Sequence, residues 1–181
     1  FSHLEAFMRV SHPYPLFLLR GYAGTGKTSV LGAFVKTLAF FKLKSKLLAP
    51  TGRAAKVIAT KSHKDALTIH KQIYRRKDGG DDFSRMELSP NLHRNTVFIV
   101  DEASMVSDVK TIDEFFVFGS GYLLKDLFTY IDFPYRPNSK ILFIGDIDQL
   151  LPVGPGNFFK DVIKSSVVPA YRLTKIFRQG Q

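Results

Sequence analysis

The sequence predicts an α/β domain in which a mostly parallel sheet is covered by helices on both faces. Short apolar runs without polar alternation recur along the chain, as in strands buried on both faces. Apolar residues at helical spacing lie between those runs. A glycine-rich loop at 21–28 joins the first run to the first such helix.

Each element has its own signal. Leu16-Phe17-Leu18-Leu19 precedes Gly21 and reads as the first strand. After Lys27, the set Val30, Leu31, Phe34, Val35 and Leu38 follows a helical period. Leu47-Leu48-Ala49 before Pro50 is the second strand, and Val97 to Val100 before Asp101 is the third. Leu123, Leu124, Leu127, Phe128 and Ile131 form another helical set, with Ser120 expected as its cap. Ile141 to Ile144 before Gly145 is the fourth strand, and the weaker run Ala170 to Leu173 is the fifth. The 17 Phe residues are the expected core fillers. Arg75 to Asn95 is the polar exception, centred on Asp78-Gly79-Gly80-Asp81-Asp82. With no internal repeat, low-complexity tract or linker, residues 1–181 read as one domain.

Composition narrows the function. Apolar residues make up 45% and charged residues 23%, so the chain can bury a core and is not disordered. The absence of Cys excludes a disulfide scaffold, a thiolate zinc site and a Cys nucleophile. No run approaches the roughly 18 apolar residues of a membrane span, and no signal peptide is evident, so an intracellular protein without a membrane partner is expected. The chain opens on Phe1, as a trimmed or processed piece would. The formal net charge is +10. All of the excess lies between Lys36 and Lys77, where twelve basic residues face one acid, Asp65. Charge concentrated in this way is the footprint of a polyanion partner.

Gly21-Tyr22-Ala23-Gly24-Thr25-Gly26-Lys27-Thr28 matches the phosphate-loop pattern, with a strand before it and a helix after it. Gly21, Gly24 and Gly26 allow the bends that bring backbone N–H groups, those of Ala23 and Thr25 included, toward phosphate oxygens. The following helix points its positive end at the same place. Lys27 is expected at the β- and γ-phosphates, with the Thr28 hydroxyl on Mg²⁺. Asp101-Glu102 ends a buried strand: Asp101 suits Mg²⁺ held through water, and Glu102 suits a general base for attacking water. No Asn-Lys-x-Asp tetrapeptide occurs, which argues against a GTPase.

Further segments, in order, resemble the motor domain of superfamily 1 helicases of the RecD/Dda-like branch. Leu48-Ala49-Pro50-Thr51-Gly52-Arg53-Ala54-Ala55 resembles motif Ia, and Thr68-Ile69-His70 motif Ib. Asp101-Glu102-Ala103-Ser104-Met105 resembles motif II, Gly145-Asp146-Ile147-Asp148-Gln149-Leu150 motif III, and Leu173 to Gln179 motif IV. The resemblance implies a P-loop NTPase of RecA-like fold with a parallel sheet in the order 5-1-4-3-2. It implies ATP with Mg²⁺ as the nucleotide, and 5′→3′ movement on single-stranded DNA or a single/double-strand junction. Under it Gln149 senses the γ-phosphate, Arg178 adds charge there, and Pro50, Thr51, Arg53, Thr68 and His70 contact the DNA backbone. For His70 a packed structural role is the alternative. Lys56, Lys61, Lys64 and Lys71 read as diffuse attraction.

The branch inserts a β-hairpin wedge where Arg75 to Asn95 lies, so Gly79-Gly80 is a candidate turn, and Tyr74 or Phe83 a ring facing a base pair. Three departures stand out. No Gln precedes the phosphate loop where the family recognises adenine; Leu151 replaces the first Pro of a Gln-Leu-Pro-Pro run; and the chain ends at Gln181 without the second motor domain that translocation requires. Alternatives from other classes are a nucleotide-dependent nucleic-acid clamp, which needs neither Glu102 nor Gln149, a P-loop kinase, and an RNA helicase of the same superfamily.

Overall fold

A computed structural model describes residues 2–9, 15–77, 84–146, 148 and 156–174. Its core is a six-stranded sheet built of β1 (Leu16–Gly21), β2 (Lys44–Ala49), β3 (Ala66–Thr68), β6 (Thr96–Val100), β8 (Lys140–Gly145) and β9 (Ala170–Leu173). The spatial order is β3-β2-β6-β8-β1-β9, and every pairing is parallel. The five apolar runs of the sequence thus take the order 5-1-4-3-2. One edge strand is added, β3, only three residues long and followed at once by a helix, too short to show a period of its own.

The central strands explain why their sequences lack alternation. Every residue of β6 and of β8 is buried, because both faces of the sheet are covered. On one face, α1 (Ser2–Arg9), α2 (Lys27–Thr37) and α3 (Gly52–Ser62) pack through Leu4, Phe7, Leu31, Phe34 and Ile58 onto Phe17, Leu47 and Ile99. On the other, α4 (Ile69–Ile73), α5 (Leu123–Ile131) and α6 (Phe158–Ser165) enclose Phe98, Phe143, Leu127 and Phe159. Gly145 is required at the end of β8: a Cβ there would stand 2.9 Å from the Phe159 ring and 3.1 Å from the Ser104 nitrogen.

Beside this face sits a small sheet of β4 (Tyr74–Arg76), β5 (Arg85–Leu88) and β7 (Val117–Phe118). β4 and β5 are antiparallel, with Tyr74 opposite Leu88. Gly79, Gly80 and Phe83 lie outside the described residues. Tyr74 does not face outward as a wedge ring would: it is buried, and its hydroxyl donates to Asp126 Oδ2 at 2.7 Å. Ser120 is not the cap of α5 either, since the cap position is Tyr122. Ser120 instead donates its N–H (2.9 Å) and its hydroxyl (2.6 Å) to the buried Asp126 carboxylate. A carboxylate buried inside the helix needs those donors more than the helix end needs a cap. Among the described residues no helix is long and apolar enough to cross a membrane.

Candidate functional site

Three adjacent strand ends build the site. β8 lies between β1 and β6, so the loop after β1, Asp146 after β8 and Asp101 after β6 stand in a row at the C-terminal edge of the sheet. Ligands of open α/β sheets bind at this edge.

In the loop, Gly24 and Gly26 both have φ of 78°, a conformation open to glycine. Gly21 is needed for close approach, because a Cβ there would sit 2.5 Å from Thr25 Oγ1. Thr25 is buried and folds the loop on itself, its hydroxyl donating to the Tyr22 carbonyl at 2.7 Å. α2 begins at Gly26 without a side-chain cap and has no acid in its first turn. Its first N–H groups and its dipole therefore remain for an anion. Lys27 donates to the carbonyls of Gly21 (2.5 Å) and Tyr22 (3.1 Å), and its ammonium lies 3.7 Å from Asp146 Oδ2.

The loop, Thr28, Lys61 and Glu102 line one cleft of about 890 Å³. Glu102 stands at its wall with φ of 52°, a left-handed backbone that costs a side-chain-bearing residue of the order of 1 kcal/mol. The tight bend after β6 turns the chain into the Ala103–Met105 3₁₀ turn. Burial pushes the Asp101 carboxyl up to about 6, while a hydrogen bond from the Glu102 N–H and the charges of Lys27 and Lys61 pull the other way. Its Oδ1 accepts that N–H at 3.0 Å. A buried carboxylate held with so few donors fits a hard cation. No cluster of three or more metal-ligating side chains occurs among the described residues.

The candidate DNA contacts gather next to this cleft. Thr51 caps α3 by accepting from Ala54 N–H at 3.2 Å, and Thr68 caps α4 by accepting from Lys71 N–H at 3.1 Å. Thr51 follows β2 and Thr68 ends β3, with Ala49 opposite Thr68 in register, and each hydroxyl keeps its proton to donate. Arg53 is exposed and Pro50 half-buried at the same edge. His70 lies two residues after Thr68, in the helix that Thr68 caps. Its ring packs 5.0 Å from Phe118 and 5.7 Å from Tyr74, and burial lowers its pKa against the pull of Asp113. The half-buried ring fits the packed role, and a neutral imidazole N–H can still donate to a phosphate.

Gln149 and Arg178 lie outside the described residues. Asp146 was not singled out from the sequence, although an acid closing a buried strand is the signal that marked Asp101. Lys61, exposed in the last turn of α3, also lines the nucleotide cleft. Nothing in a run of lysines shows which one will face a cleft. Arg172 is a third omission, from the edge strand β9. It donates to the Tyr22 hydroxyl at 2.6 Å and covers the Tyr22 ring at 4.9 Å.

Known proteins agree with this geometry. The model of the AAA domain family matches residues 5–181. The ATP-dependent RecD2 DNA helicase of Deinococcus radiodurans is 29% identical over 165 residues, which is 91% of this chain and 20% of that protein. The conjugal transfer protein TraA of Rhizobium radiobacter is 27% identical over 178 residues, 97% of this chain and 14% of that protein. Among solved structures, a Bacteroides Pif1 in complex with ADP-AlF4 superposes with a TM-score of 0.63 at 21% identity, over 100% of this chain and 43% of that one. A Bacteroides Pif1 bound to single-stranded DNA gives 0.60 at 22%, over 99% and 42%. The chain thus spans a fifth or less of these curated relatives and about two fifths of the solved chains. The chain belongs to the AAA domain family.

Proposed function

We propose that this chain is the ATP-binding and ATP-hydrolysing motor domain of a DNA helicase, working within a longer protein that supplies a second motor domain. The observation that carries this is the row of Lys27, Asp146 and Asp101 at three neighbouring strand ends, with Glu102 facing the same cleft. The loop N–H groups and Lys27 hold the triphosphate. Thr28 and Asp101 would hold Mg²⁺, which when bound neutralises phosphate charge. Glu102 accepts a proton from the attacking water. Gln149 and Arg178 complete the γ-phosphate contacts under the family reading.

The DNA reading rests on Thr51, Arg53 and Thr68 beside that cleft, with Pro50 shaping the turn. Hydroxyls and helix-start N–H groups grip phosphates without reading bases, as a moving strand requires. The relatives add weight: one is named a DNA helicase, and one solved neighbour is bound to single-stranded DNA. Movement in the 5′→3′ direction follows from the resemblance, and so does a strand-splitting role for the β4–β5 hairpin at a junction.

The test is ATP hydrolysis by the longer protein with and without single-stranded DNA. Strong stimulation is expected. DNA binding without stimulated hydrolysis would replace the motor with a clamp.

A further inference from the structure

Five lysines of the basic stretch stand away from the edge that holds the nucleotide cleft and the Thr51–Thr68 pair. Lys36, Lys44, Lys46 and Lys64 line a groove of about 950 Å³ between α2, α3 and the outer edge of β2, and Lys42 precedes that strand. β3 pairs only with Leu47 to Ala49, so the β2 edge is open beside these residues. Asp65 is the sole acid lining the groove, and none of the five lysines forms an ion pair among the described residues.

The charge continues around the N-terminal end of the sheet. Burial lowers the pKa of His93, and the nearby charges of Lys46, Arg136 and Lys44 lower it further. Lys44 N–H donates to the Asn95 carbonyl at 2.8 Å, which joins the groove to a second hollow of about 290 Å³ lined by Arg94, Tyr135 and Arg136. Tyr135 lines the second hollow, and Phe40 follows Ala39, which lines the first. Phe40, next to Ala39 in the Leu38–Phe41 turn, is 86% exposed, and Tyr135 is 85% exposed.

We infer that the N-terminal end of the sheet carries a second track for single-stranded nucleic acid, with phosphates on Lys36, Lys44, Lys64 and Arg94 and bases stacked on Phe40 and Tyr135. It rests on the DNA reading above only for the class of partner, and uses none of its residues. A basic groove flanked by solvent-facing rings has the composition of a sequence-tolerant single-strand site. Unpaired bases, not duplex, are what such rings take, because a duplex hides its base faces. An acidic protein segment would satisfy the lysines and leave the rings unexplained. The track lies at the opposite end of the sheet from the cleft, so it holds strand already passed or not yet engaged.

The test uses the longer protein and an oligothymidine carrying photoreactive 5-iododeoxyuridine. Cross-links at Phe40 or Tyr135 are expected, and they persist in a Thr51→Ala/Arg53→Ala variant. Phe40→Ala/Tyr135→Ala should weaken binding to this track by about thirtyfold or more. Lys36→Ala/Lys64→Ala should reduce the slope of log affinity against log salt by about 1.4. These are surface changes, and an unchanged melting temperature verifies the fold. Cross-links confined to 51–53 and 68, with both variants binding as wild type, would overturn the track and leave the motor reading intact. No binding by the wild type would overturn both. Polyglutamate that displaces the oligonucleotide at equal charge concentration, sensitive to the lysines but not to the rings, would overturn it in favour of an acidic protein partner.

Discussion

The Lys27 ammonium lies 3.7 Å from Asp146 Oδ2, and so ties the helix after β1 to the end of β8. Asp146 is only 3% exposed, and it also accepts the Asp148 N–H at 3.1 Å. A change in the segment after β8 therefore bears directly on the lysine that holds the phosphates. Lys27→Ala should abolish ATP binding and, by leaving a buried carboxylate without its cation, cost about 1–3 kcal/mol of stability. Urea unfolding should show part of that loss restored in Lys27→Ala/Asp146→Asn. Equal stability of the single and double variants would show that the pair carries no weight.

Glu102→Gln keeps the shape of the cleft and removes the base. ATP binding should persist while turnover falls by about 10²–10⁴-fold. Equilibrium binding of a labelled nucleotide alongside steady-state hydrolysis separates the two. Unchanged turnover would take the base role away from Glu102.

Asp101 titrates near 6 in the fold against 3.8 for the ordinary group. A raised carboxyl favours the fold when protonated, so its contribution is full below about 3.8 and is lost as pH rises through about 6. In metal-free buffer with chelator, Asp101→Asn should thus be more stable than wild type at pH 7, by about 2–3 kcal/mol at most. The advantage should shrink toward pH 4. A pH-independent difference would show that burial does not set the Asp101 charge.

Lys61 lines the cleft while its side chain stays exposed. Lys61→Ala should raise the KM for ATP several-fold and leave DNA affinity without nucleotide within about twofold, because one exposed charge adds little to diffuse attraction. The reverse pattern, weaker DNA binding at constant KM, would return Lys61 to the basic surface.

Tyr74→Phe removes the hydroxyl that donates to Asp126. A loss of about 1–3 kcal/mol in thermal or urea unfolding is expected, with ATP hydrolysis in the absence of DNA unchanged. Unchanged stability would show that the hydroxyl's bond to Asp126 carries no weight in the fold.

Much of the fold was legible because it rests on patterns that burial imposes locally. A strand covered on both faces must be apolar throughout, so Val97 to Val100 and Ile141 to Ile144 announced themselves. The phosphate loop was legible because its backbone path admits few residues: Gly24 and Gly26 take φ of 78°, and Gly21 has no room for a Cβ. β3 and α1 were not legible. One is three residues long, and the other is a short helix whose Phe7 is buried by packing on Phe17 of β1.

By itself the sequence determined the class of sheet, the order of its five main strands by resemblance, and the residue types that meet phosphate. Those are properties of short segments and their neighbours in the chain. Tertiary structure alone decided which groups share a space. It put Asp146 beside Lys27, set Lys61 in the cleft, turned Tyr74 inward onto Asp126, and divided one run of basic residues between two ends of the sheet. The reason is physical: local pattern fixes which face of an element is apolar, but the position of a polar side chain depends on partners distant in sequence, which only the packed sheet brings within reach.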